Sequence, residues 1–234
     1  MSFTSPEFWV ALLQIIMINI VLSGDNAVVI ALASRSLPPA QQKKAIIFGS
    51  VGAIVLRIIL TFFAVMLLAQ PYLKLVGAAL LLWIGIGLLK GEDEEADLEG
   101  HSSLAAAIKT IIVADLVMSL DNVIGVAAAA KGNIPLLVIG LVISIPLIIY
   151  GSTLILKLMG RFPIIITIGA GLLGWVAGEM AVSDPAVVGW VAKDSILHYV
   201  APAAGAIFVV LTGKWLLSRA NAQQSLNASE QAAS

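Results

Sequence analysis

Two short stretches set acids, amides and hydroxyls inside long apolar runs. "NIVLSGDNAVVIA" spans Asn19 to Ala31 and holds Asn19, Ser23, Asp25 and Asn26; "DLVMSLDNVIGVA" spans Asp115 to Ala127 and holds Asp115, Ser119, Asp121 and Asn122. Aligned, Asn19 falls on Asp115, Ser23 on Ser119, Asp25 on Asp121 and Asn26 on Asn122. An aspartate at the centre of a bilayer costs about 2.5–3.5 kcal/mol even on the lenient insertion scale, and such residues mark ion or substrate paths. Oxygen ligands of this kind suit hard or borderline divalent cations such as manganese, magnesium or calcium. The chain has no cysteine, and His101 and His198 lie outside the apolar runs, which argues against thiolate sites and against zinc or copper held by imidazole.

Spacing sorts these residues further. Asn19, Ser23 and Asn26 share one helical face, as do Asp115, Ser119 and Asn122, while Asp25 and Asp121 project at another angle. Unwinding at "SGDN" would turn Asp25 inward and free backbone carbonyls for coordination. Gly24 favours such a break; its counterpart Leu120 does not, so the second copy is expected to stay helical. Serine and asparagine within a span also serve as interhelical glue. Met17 and Met118 read as packing residues, although a thioether at Met118, on the face of Asp115 and Asn122, would favour a transition metal. Arg57 is the cation nearest the middle of its run. It reads either as a structural ion-pair partner for one Asp, or as counter-charge for an empty cation site or a gate that swaps partners. Glu179 reads as a solvated helix end or as the lining of an exit.

The elements that must carry these residues follow from composition. Hydrophobic residues make up 60% of the 234 and charged ones 12%, against about 45–50% and about 25% in a soluble domain. The chain is therefore expected to be an all-α polytopic membrane protein. Its net charge of −1 shows no basic stripe for a nucleic-acid partner. The N-terminus lacks a basic leader and a cleavage signature, so the first run reads as mature protein. Seven stretches approach the roughly 20 residues of a spanning helix: Phe8–Ala33, Ala45–Ala69, Pro71–Leu89, Leu104–Ala130, Ile134–Lys157, Phe162–Val182 and Tyr199–Ser218. The tail 219–234 is polar and is expected to be disordered and cytoplasmic. A second aligned pair, "GAALLLWIGIG" from Gly77 and "GAGLLGWVAGE" from Gly169, extends the internal repeat. Repeat one then covers about 8–90 and repeat two about 104–182, with an extra helix near 199–218 completing a domain of residues 1–218. Three crossings per repeat is an odd number, so the halves enter the membrane in opposite directions, the inverted repeat of many transporters.

Positive charge sets the orientation. One face receives Arg35, Lys43, Lys44, Lys90, Lys109, Lys157, Arg161, Lys214 and Arg219; the other receives Lys74, Lys131 and Lys193. The positive-inside rule then puts the N-terminus outside and the C-terminus in the cytoplasm of a cell-membrane protein. The connection "KGEDEEADLEGHSS" carries Glu92, Asp93, Glu94, Glu95, Asp97 and Glu99 before His101, and reads as a solvated face or as a loop that concentrates cations. No Walker loop is present, so transport would run on ion gradients.

"SGDN", "DLVMSLDN" and "LPPAQQKKA" leading to "VLRI" resemble the TerC family of integral membrane proteins, a likeness that covers about Phe8 to Ser218. The family is named for tellurium resistance and belongs to a superfamily with the lysine exporters. Several members export manganese, and the resemblance implies that role here for Asp25, Asn26, Asp115, Asp121 and Asn122. Asn19, Ser23, Ser119, Met118 and Arg57 would support the site. The expected cargo is a divalent cation, manganese(II) first, with no tightly bound cofactor, no enzymatic activity and the lipid bilayer as surroundings. Two other readings are an intramembrane aspartyl protease using Asp25 and Asp121, and a non-transporting scaffold in a metal or tellurite stress-response complex. The protease reading lacks the usual Gly-x-Gly-Asp context.

Overall fold

Polar side chains lie inside this protein and large apolar ones lie outside. In the computed structural model, which describes residues 6–21, 23–68, 70–90, 100–130, 133–191 and 195–233, Asn19, Ser23, Asn26, Arg57, Asp115, Ser119, Ser144 and Ser152 are buried, whereas Trp83 and Tyr150 are 70% and 72% exposed. Such an exterior is a liability in water and the natural surface in hydrocarbon. The acidic connection 91–99 lies outside the described residues, as do the side chains of His101, Asp121 and residues 223–234.

All regular structure among the described residues is helical: α1 (Pro6–Val21), α2 (Gly24–Ser34), α3 (Pro39–Leu68), α4 (Leu73–Lys90), α5 (Gly100–Ala130), α6 (Ile134–Arg161), α7 (Ile164–Ser183), α8 (Pro185–Val188) and α9 (Leu197–Ala233). Among them α3, α4, α6, α7 and α9 are each long and apolar enough to cross a membrane, and α1 with α2, bent by 47° at their junction, make a sixth candidate span. The helices match the apolar runs with two differences. The first run is broken in two. The polar tail continues α9 to Ala233 instead of losing order after Arg219. From Lys214 to Ala233 there is neither Gly nor Pro, and alanine, glutamine and leucine extend an existing helix at little cost per residue.

Helix ends show why the chain turns where it does. Asn133 caps α6 by accepting the Leu136 N–H at 3.1 Å, with Pro135 in the first turn, where a missing N–H costs nothing. Asp184 does the same for α8, accepting the Ala186 N–H at 2.7 Å. It reaches further. Its Oδ1 also accepts the Tyr72 N–H at 2.9 Å, and its Oδ2 accepts those of Lys74 and Leu75 at 3.0 and 3.1 Å. The end of α7 is thereby tied to the start of α4, and Tyr72 is held at φ 69°, a left-handed conformation unusual for a bulky residue. Burial alone would raise the Asp184 carboxyl; the four N–H donors outweigh it and hold the group below the usual carboxylate value. At the opposite end of α4, Arg35 Nη2 donates to the Leu88 carbonyl at 2.9 Å, a cation on a helix C-terminus.

Within the bundle α3 runs along α5, α4 along α7, and α1 and α2 both rest on α6. The α7–α9 crossing is a backbone contact, because a Cβ added at Gly174 would collide with the Gly205 carbonyl and one at Gly205 with that of Gly174. Small residues allow this approach, and dispersion then replaces the hydrophobic drive that lipid does not supply. Ile15, Leu32, Ile46, Ile111 and Leu136 fill the core around the polar centre.

Candidate functional site

The polar centre is organised by one guanidinium. Arg57, midway along α3 and 1% exposed, donates from Nε to Ser119 Oγ at 2.9 Å and from Nη2 to Asp115 Oδ1 at 2.5 Å. Its Nη1 donates to Asn19 Oδ1 at 2.6 Å and to Ser23 Oγ at 3.0 Å. The two partners on each side are also joined to one another four residues apart. Ser23 Oγ donates to Asn19 Oδ1 at 3.3 Å, and Ser119 Oγ to Asp115 Oδ2 at 3.1 Å. The aligned pairs of the two motif copies thus flank a single cation. Asn26, in the first turn of α2, closes the network by donating from Nδ2 to Asp115 Oδ1 at 2.9 Å.

These bonds account for the local fold. Ser23 precedes α2 at φ −113° and ψ 5° but makes no side-chain cap, because its hydroxyl serves Asn19 and Arg57. The Asp25 carboxylate instead accepts the Asn26 backbone N–H at 2.8 Å, an anion at a helix N-terminus where the dipole favours it. Gly24 has open space where a Cβ would stand and does not use a left-handed φ. The break therefore does not depend on glycine's freedom, contrary to the expectation from sequence. As expected, α5 runs unbroken through Leu120.

The structure unites Asn19, Ser23, Asn26, Arg57, Asp115 and Ser119. Asp25 is half-buried beside them. Asn122 is half-buried on α5, seven residues past Asp115 and so about 10 Å further along the axis at 1.5 Å per residue. Asp121 lies one residue earlier on that helix, its side chain outside the described set. Met118 is 3% exposed and belongs to the apolar core, which fits a packing role, while Met17 faces outward. Glu179, on the exposed side of α7, accepts the Trp175 Nε1–H at 2.9 Å. Among the described residues no three carboxylates or histidines converge.

Among the described residues, two buried atoms in the centre have no hydrogen-bond partner, the acceptor Asn26 Oδ1 and the donor Asn19 Nδ2. Each unmet group of this kind costs about 1–3 kcal/mol. The Asn26 oxygen, next to the Asp115 carboxylate, is the kind of neutral ligand a hard cation takes. Sequence reasoning missed Asp184 and Arg35. "SDP" is an N-cap signature that points to the start of α8, but nothing local signals its reach to α4.

The chain is 43% identical over 205 residues to the uncharacterized membrane protein YjbE of Bacillus subtilis, covering 88% of this chain and 94% of that one. It is 28% identical to YceF of the same organism, over 76% of this chain and 73% of that one. It is also 28% identical to the inner membrane protein YgdQ of Escherichia coli, over 68% and 75%. No solved structure matches the chain. The model of the integral membrane protein TerC family matches residues 4–223, and the chain belongs to that family.

Proposed function

We propose that this protein carries a divalent metal cation, manganese(II) first, across the membrane through the centre formed by Asp25, Asn26 and Asp115, in exchange for protons. The observation that carries this reading is the shared Asp115 carboxylate, bound at once by Arg57 and by an asparagine whose own oxygen is free. A structural ion pair needs no spare ligand beside it. A cation site that holds its own counter-ion while empty does. Manganese is the ion implied by the family resemblance, which also implies Asp121 and Asn122, further along α5, as ligands on the cation's path.

Topology supports the same reading. Arg35 brings the end of α2 to the end of α4, and Asp184 brings the end of α7 to the start of α4. If α2 leaves the bilayer on one face, α3 and α4 return the chain to it, in accord with the Arg35 contact. For α7 to finish beside the start of α4, an odd number of crossings must separate the ends of α4 and α7. If α6 and α7 span, these contacts favour a spanning α5 as well, in keeping with seven crossings, three plus three and α9, in the inverted arrangement proposed from the repeat. The lysine and arginine split then places α1's first residues outside and the end of α9 in the cytoplasm.

Asp25→Asn is the direct test, since it removes a mid-membrane anion and leaves the Arg57–Asp115 pair in place. Protein reconstituted in liposomes should lose manganese flux while still inserting. Wild-type flux in that variant ends this reading.

A further inference from the structure

Buried serines in this bundle are satisfied in one of two ways. Ser34, Ser144 and Ser152 each donate to the carbonyl four residues back, at 2.7, 3.0 and 2.7 Å, the usual resort of serine within a helix. Ser23 and Ser119 accept from the Arg57 guanidinium. Ser50 does neither. It is 1% exposed, and its Oγ has no partner among the described residues, although the Ile46 carbonyl stands four residues behind it on α3. An unmet hydroxyl inside an apolar bundle is costly and calls for a ligand or a water.

Three relations place this oxygen. Ser50 precedes Arg57 by seven residues, so the two share a face of α3 about 10 Å apart. The neighbouring Gly49 abuts Ile111, and Arg57 reaches Asp115, so Ser50 stands level with the turn of α5 just before Asp115. The short connection 35–38 makes α2 and α3 antiparallel neighbours. Counted from that connection, Asn26 lies eight residues along α2 and Ser50 eleven along α3, roughly 12 and 16 Å at 1.5 Å per residue. Ser50 Oγ and the unmet Asn26 Oδ1 therefore fall at similar depth, both on the side of Arg57 that faces the α2–α3 connection.

We propose that Ser50 is a further cation ligand: its hydroxyl and Asn26 Oδ1 form, beside Asp115, a seat for a divalent cation arriving from the side of the α2–α3 connection. The inference rests on the transport reading and adds a ligand from α3 to it. Hard divalent ions take neutral oxygens alongside carboxylates, and a serine hydroxyl holds magnesium in nucleotide-binding loops. Neutral ligands add coordination without adding charge that hydrocarbon would penalise in the empty state. Filling the seat brings the cation to Asp115 and meets both unmet oxygens at once.

The chain has no cysteine, so a thiol introduced at position 50 reports alone. Ser50→Cys replaces a hard ligand by a soft one. In detergent-solubilised protein, cadmium(II) should then produce the ultraviolet charge-transfer band of a cadmium–thiolate bond, and excess manganese(II) should suppress it. Ser34→Cys, at a buried position whose serine is satisfied by its own helix, should give no manganese-sensitive band. Ser50→Ala should weaken manganese(II) binding several-fold by calorimetry and raise the half-saturating concentration for flux in liposomes by a similar factor. A bridging water only at Ser50 gives a different pattern: the alanine variant melts lower but binds manganese(II) as the wild type does, and the thiol at position 50 shows no such band. Either result overturns the assignment. Should cysteine prevent insertion, the alanine variant decides alone. A wild-type protein without manganese(II) flux whose manganese(II) binding still depends on Ser50 supports the seat and counts against the transport reading.

Discussion

Arg57 offers five N–H donors in a planar fork, and four bonds to Asn19, Ser23, Ser119 and Asp115 use them in a way a lysine ammonium does not reproduce. Removing one partner of a buried pair leaves the other uncompensated and costs about 3–5 kcal/mol. Arg57→Gln and Asp115→Asn should each lower the melting temperature of the detergent-solubilised protein. The double variant should recover most of the loss, since neither charge is then stranded, while flux stays absent. Additive losses in the double-mutant cycle would mean that the pair is not coupled. The amides and hydroxyls of this centre were legible in the sequence because they recur at matched positions in two copies. Arg57's partner was not. It has no counterpart in the second copy, and its bond to Asp115 joins residues 58 apart. An ion pair and a counter-charge look alike until distance separates them, and the Asn26 to Asp115 bond, 89 residues apart, is equally invisible to local pattern.

At the scale of elements, apolar run length located every long helix but could not see how the ends are tied. The first run shows the limit. Its apolar pattern continues through the break, where Ser23 gives its hydroxyl to Asn19 and Arg57 and makes no cap. Gly24 stands in open space with an ordinary φ, so Gly24→Ala should be tolerated, and by narrowing the unfolded ensemble should stabilise by about 0.4–1 kcal/mol. A variant that inserts but melts well below the wild type would show that the junction needs glycine after all. Asp184 makes the complementary case. Its lowered native pKa means that its contribution is fully present above the unfolded value of about 3.9 and is lost as pH falls through the native value. Asp184→Asn should therefore lower the melting temperature at neutral pH by a few degrees, at roughly 2–4 °C per kcal/mol for a chain of this size. The wild type should lose that advantage toward acid pH until the two curves meet. A constant gap between them at all pH values would assign the loss to packing instead.

At the scale of the whole molecule, the two motif copies differ in charge at their meeting point. Asn19 stands where the second copy has Asp115, and Arg57 and Asp115 neutralise one another across that difference. In the inverted-repeat reading this asymmetry lets an empty centre sit in hydrocarbon at low cost. The ion pair is internally neutral, and in the proposed exchange Asp25, half-buried, is the group given the proton. A divalent cation bound between Asp25 and Asp115 brings two positive charges to a place where each uncompensated charge is expensive. Arg57 must withdraw, and any proton on Asp25 must leave. In the proposed exchange, metal movement is then coupled to proton movement in the opposite direction. Liposomes that enclose a pH indicator should report proton release against manganese(II) uptake, with both signals absent in Asp25→Asn. Arg57→Gln removes the cation that stands in for the metal, so the empty centre must take up a proton in its place. Its flux should either stop or follow an altered pH dependence. Transport by Arg57→Gln with the wild-type pH profile would make Arg57 a structural residue only and would leave exchange without its counter-ion.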